Sequence, residues 1–250
     1  MKLNSLDFKI APFSDTPDLR MFWEGHGSQQ IFKSLLLEII NGAPLQMVTA
    51  EPGLGKTVLC RKLLNSLKSH KRRYRALYLP FPHQDFGNAI DDKLRMTFPD
   101  QRRTVLLIDE AQALSDKSLI RLISCVSPSG TGQKEMQAVL FGQPELEERL
   151  QNVALRSLAD LRTSNHQIHP LDREQIHHYL TTRFSRAGAD PDALLNEHII
   201  DTVWRASGGI PRIVNIIMRK ALLVARSDTS GAFEFHHVLS ATKSTDASVS

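Results

Sequence analysis

The segment from Ala50 to Thr57 carries residue types, at a characteristic spacing, that bind phosphate. It reads Ala-Glu-Pro-Gly-Leu-Gly-Lys-Thr, follows the apolar run Leu45–Val48 and precedes a stretch whose apolar residues have helical spacing. A glycine-rich loop between a strand and a helix turns backbone N–H groups inward and forms an anion cradle, to which the helix dipole adds. We predict that Lys56 reaches the β- and γ-phosphates of a nucleotide and that the Thr57 hydroxyl holds Mg²⁺.

The loop departs from the usual pattern at its first position, where Ala50 replaces glycine. Alanine fits there if its φ stays negative. The alternative interpretation is a plain glycine-rich turn, which the Lys-Thr pair disfavours. The expected cofactors are ATP and Mg²⁺. The residues expected to bind the nucleotide here are Glu51, Pro52, Gly53, Leu54, Gly55, Lys56, Thr57 and Val58.

A second motif is the acidic pair Asp109 and Glu110, which follows the apolar run Leu106–Ile108. The unbroken apolar run is typical of a strand buried on both faces of a parallel sheet, and open α/β sheets bind ligands at the carboxyl ends of their strands. We expect Asp109 to hold the Mg²⁺ shell together with Thr57, and Glu110 to act as general base on the attacking water. The alternative is that both carboxylates cap the next helix. The order of the two motifs, with a predicted strand between them, is typical of the additional-strand class of P-loop ATPases.

Gln143 follows the fourth predicted strand, in the string Phe-Gly-Gln-Pro. A polar side chain at that strand end can contact the γ-phosphate and the attacking water, so Gln143 is our candidate sensor. The alternative is a simple turn, because glycine and proline are turn residues.

Arg212 follows Gly208-Gly209-Ile210-Pro211 at the start of a predicted helix. We expect Pro211 and Arg212 to contact the nucleotide, with Arg212 on the γ-phosphate, so that the position of this helix is linked to hydrolysis. The alternative is a surface arginine in a first helical turn, although the helix dipole disfavours a cation there.

Arg156 and Arg162 lie in the string Leu-Arg-Ser-Leu-Ala-Asp-Leu-Arg before the last predicted strand. In ATPases of this build, an arginine in this stretch often reaches the γ-phosphate bound by a neighbouring subunit and stabilises the developing charge. The sequence does not choose between the two. The alternative for each is a surface arginine on an amphipathic helix.

Alternating strands and helices up to residue 170 predict a doubly wound parallel α/β sheet. The predicted strands are Leu45–Ala50, Arg75–Pro80, Thr104–Asp109, Met136–Phe141 and Gln167–His169. The predicted helices are His26–Ile40, Val58–Ser69, Asn88–Phe98, Ser115–Cys125, Pro144–Arg149 and Leu155–Leu161, with a loop at Ser127–Gly132.

Beyond Leu171 the strand patterns stop, and helices replace them. The predicted helices are Asp172–Ala187, Asn196–Ser207, Pro211–Ser227 and the shorter Phe233–Ala241. Asp172 is expected to cap the first of them, and Pro211 to begin the third. We therefore assign residues 1–170 to a nucleotide-binding α/β core, 171–241 to a small helical lid domain and 242–250 to a disordered tail.

Composition narrows the class further. The chain has 250 residues, of which 41% are hydrophobic and 23% charged, as in soluble globular proteins. No apolar run reaches the roughly 18 residues of a membrane span, and the N-terminus has no apolar core of a secretory signal. Cys60 and Cys125 lie in apolar helical patterns, so we expect buried thiols in a reducing, cytoplasmic compartment.

The densest cationic cluster is Lys68–Arg75, in a chain of formal net charge +4. The favoured interpretation is a solvated helix end, where cations suit the dipole. The alternative is a patch that binds nucleic acid or acidic lipid. Tyr74 is the one aromatic residue in the cluster that could stack on a base.

Five strings together resemble AAA+ ATPases of the general secretion pathway protein A (ExeA) family, which includes the MSHA pilus biogenesis protein MshM. The strings are Phe8–Asp18, which reads F-x-x-x-P-F-x-x-T-P-D, and then Glu51–Thr57, Leu107–Gln112, Gly142–Leu146 and Gly208–Arg212. The strings are spread from residue 8 to residue 212, so the resemblance extends over nearly the whole chain, and it implies the fold of an AAA+ P-loop NTPase with a helical lid.

This resemblance implies ATP hydrolysis, nucleotide-dependent homo-oligomerisation and support for assembly of a type IV pilus or type II secretion machine. It implies that Ile10, Pro12 and Phe13 line the adenine pocket, and that a membrane protein of the machine is a partner. No membrane span or peptidoglycan-binding domain follows the ATPase motifs, which favours the shorter pilus-type relatives, at a cytoplasmic location or peripherally at the inner membrane. The less favoured alternative is an ATP-dependent DNA-binding regulator of transposition type.

Overall fold

The computed structural model describes residues 8–14, 19–23, 25–80, 102–126, 136–228 and 232–246. The predicted helix Asn88–Phe98 and the predicted loop Ser127–Gly132 lie outside these residues. The strands are β1 (Leu45–Thr49), β2 (Tyr74–Leu79), β3 (Arg103–Ile108), β4 (Met136–Gly142) and β5 (Arg162–Gln167). The helices are α1 (His26–Asn41), α2 (Lys56–Ser69), α3 (Asp116–Val126), α4 (Pro144–Leu150), α5 (Arg156–Leu161), α6 (Arg173–Ala187), α7 (Glu197–Ser207), α8 (Pro211–Ser227) and α9 (Phe235–Asp246).

The described strands form one parallel sheet in the spatial order β2–β3–β4–β1–β5, which confirms the predicted sheet. β1, β3 and β4 each pair with a strand on both sides, and every residue of β1 is buried. Because the register pairs Thr49 with Gly142, and Ile108 with Leu140, strands β1, β3 and β4 end at the same edge of the sheet. The residues that follow these strands are therefore neighbours in space.

The fifth strand was predicted at the wrong residues. β5 runs from Arg162 to Gln167 rather than from Gln167 to His169, and it pairs with β1 alone. Its sequence, Arg-Thr-Ser-Asn-His-Gln, is polar throughout because an edge strand keeps half of its side chains in solvent. The predicted strand Gln167–His169 is centred on Ile168, which is buried and apolar. In the structure Ile168 follows β5, and its N–H donates to the Thr49 carbonyl over 2.9 Å.

The described residues form two compact units, each with its own core. The sheet unit comprises the described residues within 26–52 and 56–168. The helical unit comprises those within 1–25, 53–55 and 169–250. The predicted domain division at residues 170 and 171 stays a prediction.

Capping residues mark the helix ends of the helical unit. Asp172 and Gln175 form a capping box at the start of α6, Asn196 caps α7 through the N–H of Ile199, and Pro211 occupies the first turn of α8. The predicted starts of α6 and α8 are confirmed.

The last helix is longer than predicted. α9 continues to Asp246, so residues 242–246 are helical rather than part of a disordered tail. Thr242 is 6% exposed, and Lys220 of α8 donates to the Ser244 carbonyl over 3.1 Å. These tertiary contacts stabilise a polar stretch whose composition alone does not indicate a helix.

Among the described helices, none has both the length and the apolar character that crossing a bilayer requires.

Candidate nucleotide-binding site

Lys56 begins α2 and lies almost entirely out of solvent, at 5% exposure. Its Nζ donates to the carbonyls of Ala50, at 2.6 Å, and Glu51, at 3.1 Å. These two bonds fold the lysine back along the loop, beside the N-terminus of α2. Ala50 is not among the residues with positive φ, so its side chain causes no backbone strain there.

Thr57 and Asp109, the two predicted metal ligands, lie within hydrogen-bonding distance of each other in the sheet unit. Asp109 as a residue is 3% exposed, and its carboxylate also accepts from the Tyr78 hydroxyl, at 3.3 Å, and from the Glu110 N–H, at 3.1 Å. Burial raises the pKa of Asp109, and the charge of Glu110 adds to that effect, whereas the bond from Thr57 opposes it. A hydroxyl and a carboxylate at the N-terminus of a helix are oxygen ligands of the kind that Mg²⁺ prefers, so these residues fit the ion.

Tyr78 was not singled out from the sequence, although it lies against this carboxylate. Burial raises the pKa of Tyr78 to about 12, and the neighbouring charge of Asp109 contributes. Its side chain stays a neutral donor to Asp109. The only sequence signal was its place near the end of a strand that neighbours β3, and that signal depends on knowing the strand order.

Cys60 lies one turn after Lys56 and is fully buried. Burial raises the pKa of the Cys60 thiol well above its ordinary value, and the charge of Asp109 raises it further. Cys125 is only partly buried, and neither Cys60 nor Cys125 forms a disulfide. Cys60 is therefore an uncharged packing residue of the kind that the sequence predicted.

Glu110 has the left-handed backbone conformation, with φ 51° and ψ 43°, alone among the described non-glycine residues. Such a conformation costs about 1–2 kcal/mol for a residue with a Cβ. Strain of this kind persists where neighbouring structure imposes it, and it is concentrated at functional sites. The two adjacent carboxylates have different partners, since Asp109 accepts from Tyr78 and Glu110 accepts from Gln112.

Gln112 connects the candidate base to the candidate sensor. Its Nε2 donates to the Glu110 carboxylate over 2.6 Å, and its Oε1 accepts the backbone N–H of Gln143 over 3.1 Å. Gly142, the residue before Gln143, leaves room for the buried Leu146 side chain, because a Cβ there would lie 2.7 Å from it. The side chain of Gln143 itself makes no capping bond to α4, so it is not used as a helix cap.

Arg149 stabilises the turn that contains Gln112 and Leu114. Its guanidinium donates to the carbonyls of Gln112, at 2.6 Å, and Leu114, at 2.8 Å, and pairs with Asp116. Sequence reasoning missed this residue because it lies 37 positions from Gln112. In the sequence, Gln112 is marked only by its place at the end of the string Leu107–Gln112.

In the helical unit, the Gly-Gly-Ile-Pro-Arg string approaches the glycine of the loop. The N–H of Arg212 donates to the Gly53 carbonyl over 3.3 Å. A Cβ on Gly53 would lie 2.9 Å from the Arg212 Cβ and 3.0 Å from Ile210, and Gly53 has φ +87°. Gly209 is equally constrained, because its Cβ would lie 2.2 Å from the Leu171 carbonyl oxygen. The glycines therefore permit close backbone approach, and the Arg212 side chain stays exposed.

The predicted adenine-pocket residues belong to the helical unit. Phe13 is 2% exposed and packs edge-on against Phe184, with ring centroids 5.2 Å apart. The Pro12 carbonyl accepts from Arg183 of α6 over 3.2 Å, and Ile10 is half-buried. Their contact with adenine stays a prediction.

The two candidate arginine fingers differ in their surroundings. Arg156, the first residue of α5, is exposed. Arg162 begins β5 and pairs with Glu147 over 3.4 Å, with its side chain 25% exposed. The structure therefore distinguishes two residues that the sequence left equivalent.

A cluster of Asp228, His236 and His237 places three metal-ligand types close together, with ligand atoms within 4.8 Å. His237 is fully buried, its Nδ1 accepts the Glu234 N–H at 3.0 Å, and its Nε2 lies 2.9 Å from the Asp228 carboxylate. Since Nδ1 is an acceptor, the neutral ring carries its proton on Nε2 and donates it to Asp228. The Nδ1 bond stays within the turn that begins α9, whereas the Nε2 bond joins that turn to Asp228, the residue after α8, so both ring nitrogens of His237 already have partners.

Comparisons with known proteins show which folds and sequences the chain is similar to. A family model described as an AAA domain matches residues 82–150. The fold is similar to Cdc6p from Pyrobaculum aerophilum, with a TM-score of 0.71 and 17% identity over 91% of this chain and 71% of that one. It is also similar to domain III of the replication initiation protein DnaA from Thermotoga maritima, with a TM-score of 0.65 and 17% identity over 94% and 98% of the two chains. The fold is therefore that of the AAA+ P-loop ATPases.

In sequence, the chain is similar to the general secretion pathway protein A of Aeromonas hydrophila, with 28% identity over 235 residues. The match covers 86% of this chain but 43% of that protein's length. It confirms the predicted resemblance to the ExeA-like AAA+ ATPases.

Proposed function

We propose that the chain binds ATP with Mg²⁺ and hydrolyses it. The observation that carries the proposal is the bridge from Glu110 through Gln112 to Gln143, next to the Thr57–Asp109 pair. A strained glutamate held by an amide is an arrangement that a purely structural turn does not need. The AAA+ fold supports nucleotide binding.

Each residue has a separate role in the proposed reaction. Lys56 and the N-terminus of α2 bind the phosphates, and Thr57 and Asp109 would hold Mg²⁺, which supplies charge neutralisation at the phosphates. Glu110 takes a proton from the attacking water. Gln112 holds the Glu110 carboxylate in one orientation and ties it to the Gln143 backbone. Gln143 senses the γ-phosphate.

Arg212 is the proposed second γ-phosphate contact, together with Pro211 at the helix start. Its support is the backbone bond to Gly53, which keeps this helix start against the loop glycine. Arg156 is the favoured finger for a neighbouring subunit because it is exposed, whereas Arg162 already has a carboxylate partner.

The direct test compares steady-state ATP hydrolysis and nucleotide affinity in the wild-type protein, Glu110→Gln and Lys56→Ala. We expect Glu110→Gln to bind ATP but to lose most hydrolysis, and Lys56→Ala to lose affinity. Measurement over a range of protein concentrations also tests self-association, since a finger acting between subunits makes the specific rate rise with concentration. Wild-type protein without hydrolysis at any concentration refutes the enzyme proposal.

The proposed cellular role is support for assembly of a type IV pilus or type II secretion machine, by a homo-oligomer that engages a membrane protein of that machine. The name of the Aeromonas hydrophila relative supports secretion, and the pilus role follows from the same family resemblance. The proposed location is cytoplasmic or peripheral at the inner membrane. Loss of pili or of secretion on deletion, restored by wild-type protein but not by Glu110→Gln, is the expected result. An unchanged envelope phenotype contradicts this role.

The second candidate is an ATP-dependent DNA-binding regulator of transposition type. The observation that favours it is the exposed basic stretch Lys68–Arg73. It predicts length-dependent binding of duplex DNA that falls steeply with salt, and stimulation of hydrolysis by DNA. Absence of binding at low salt excludes it.

A further inference from the structure

A cationic surface at the amino ends of β2 and β3 is larger than the sequence cluster indicates. Arg102 donates to the Lys71 carbonyl over 3.2 Å, and the N–H of Arg103 bonds to the Arg73 carbonyl over 3.0 Å. The start of β3 therefore adds two arginines to the turn between α2 and β2. Lys68, Lys71, Arg72, Arg73 and Arg103 are all exposed.

Charge on this surface has one sign along the described stretches that form it. Residues 64–75 and 102–104, which form this surface, contain seven Lys and Arg residues and no Asp or Glu, in a chain whose formal net charge is only +4. The seven are Lys68, Lys71, Arg72, Arg73, Arg75, Arg102 and Arg103. Such a segregated charge attracts an anionic partner rather than stabilising the fold.

Exposed aliphatic side chains border the cations. Leu37 and Ile40, one turn apart on α1, are 58% and 44% exposed. The Arg103 guanidinium donates to the Ile40 carbonyl over 2.8 Å, which fixes the C-terminus of α1 beside the arginine-rich turn. Lys33 is exposed one turn before Leu37. We call the set Lys33, Leu37, Ile40, Lys68, Lys71, Arg72, Arg73 and Arg103 the basic–apolar face.

We propose that the basic–apolar face docks onto an anionic lipid bilayer. Cations near such a bilayer pair with its headgroups, and aliphatic side chains beside them enter the boundary between headgroups and acyl chains. Binding to a nucleic-acid backbone uses the cations but leaves Leu37 and Ile40 without a role. Tyr74, the aromatic residue of the cluster, is 6% exposed and offers no ring for base stacking.

Geometry makes this docking compatible with nucleotide binding. Arg103 begins β3, whereas Asp109 follows its other end, about 20 Å away for a strand of this length. The basic–apolar face and the candidate metal ligands therefore lie at opposite ends of the parallel strands. The proposal goes beyond the ATPase proposal and does not depend on it.

The test is co-sedimentation of the full chain with vesicles of phosphatidylcholine alone and of phosphatidylcholine mixed with phosphatidylglycerol. We expect binding to the anionic vesicles only, weakening as salt is raised, because screening shortens the reach of the cations. Arg72→Gln with Arg73→Gln should weaken binding about 30-fold, since each cation near an anionic leaflet strengthens it about fivefold. Leu37→Ser with Ile40→Ser should weaken binding while leaving its salt dependence in place.

The matched control is Lys117→Gln with Arg205→Gln, which removes two exposed cations outside the face and should bind vesicles like the wild-type protein. The melting temperature of the Arg72→Gln/Arg73→Gln variant should equal that of the wild-type protein, which shows that the variant is folded whether or not the chain hydrolyses ATP. Three results overturn the proposal: equal binding of the wild-type protein to neutral and anionic vesicles, no binding to anionic vesicles, or a Leu37→Ser/Ile40→Ser variant that binds anionic vesicles as tightly as wild type. Duplex DNA that displaces the protein from the vesicles at equal phosphate concentration overturns it in favour of a nucleic-acid surface.

Discussion

At the scale of single residues, the candidate site contains two features that oppose folding. Asp109 is a buried carboxylate with a raised pKa, and Glu110 has a left-handed backbone. Neither feature improves packing. Their persistence in adjacent residues is explained if a cation neutralises the first and the turn aims the second at a reacting water.

The buried carboxylate leads to a pH-dependent stability prediction. An acid whose folded-state pKa is raised binds protons more tightly in the folded state, so it lowers the free energy of unfolding as pH rises through that pKa. Asp109→Asn removes the buried charge. We therefore expect a higher melting temperature than wild type at neutral pH without nucleotide, with a difference that shrinks as pH falls towards the ordinary carboxyl range.

Thermal melting across pH, with and without Mg²⁺ and ATP, checks this prediction. Asp160→Asn is the control, because Asp160 is exposed, and it should leave the melting temperature unchanged. The Asp109→Asn protein should also lose the stabilisation that Mg²⁺ with ATP gives to wild type. A destabilised Asp109→Asn at neutral pH would mean that the carboxylate is held for structural reasons.

Gln112 gives a kinetic prediction at the same scale. Gln112→Ala removes the bond to the Glu110 carboxylate without touching Lys56 or Thr57. We expect kcat to fall roughly tenfold to a hundredfold, because a misplaced base loses reactive geometry, while KM for ATP stays within about twofold. The exposed Gln151→Ala should behave as wild type. A rise in KM with constant kcat would instead make Gln112 a contributor to nucleotide binding.

At the scale of elements, the strands that are most buried are the ones whose positions could be predicted from the sequence. Strands β1, β3 and β4 are buried over most or all of their length, and their apolar runs identified them from the sequence. β5 is a polar edge strand without such a run, and it was misplaced. The residues of the candidate site differ in the same respect. Some could be predicted because they lie in short sequence motifs: Lys56, Thr57, Asp109 and Glu110. Tyr78 and Arg149, in contrast, reach the site only through the strand order and the fold.

The turn that contains Gly53 gives a prediction about an element rather than a side chain. Gly53→Ala places a methyl group 2.9 Å from the Arg212 Cβ at φ +87°. We expect a loss of at least about 1 kcal/mol in unfolding free energy, together with weakened ATP binding. Gly27→Ala is the matched control, because a Cβ there, near the start of α1, meets nothing within 4 Å. It should be neutral or stabilising by up to about 1 kcal/mol.

Urea unfolding and equilibrium ATP binding distinguish the outcomes for the two glycines. Equal stability for both alanine variants would show that the loop adopts another conformation around residue 53. Weakened ATP binding without a change in stability would separate the role of Gly53 in phosphate binding from its role in the turn.

At the scale of the whole molecule, the exposed Arg156 matters only if copies of the chain assemble. A finger supplied by a neighbour explains why an arginine at the start of a short helix is left in solvent, whereas Arg162 is paired with Glu147. Each active site then needs a base from one subunit and an arginine from the next. That division of labour can be tested by mixing two inactive proteins.

Glu110→Gln keeps the finger and lacks the base, whereas Arg156→Ala keeps the base and lacks the finger. We expect each to be nearly inactive alone, and a one-to-one mixture to regain activity, because about a quarter of its interfaces combine a wild-type base with a wild-type arginine. The comparison is Arg162→Ala mixed with Glu110→Gln, and we expect Arg162→Ala alone to remain active. If the mixture of Glu110→Gln and Arg156→Ala is no more active than the mean of its two components, Arg156 does not act between subunits. If Arg162→Ala alone is inactive and mixing restores its activity, Arg162 is the finger instead.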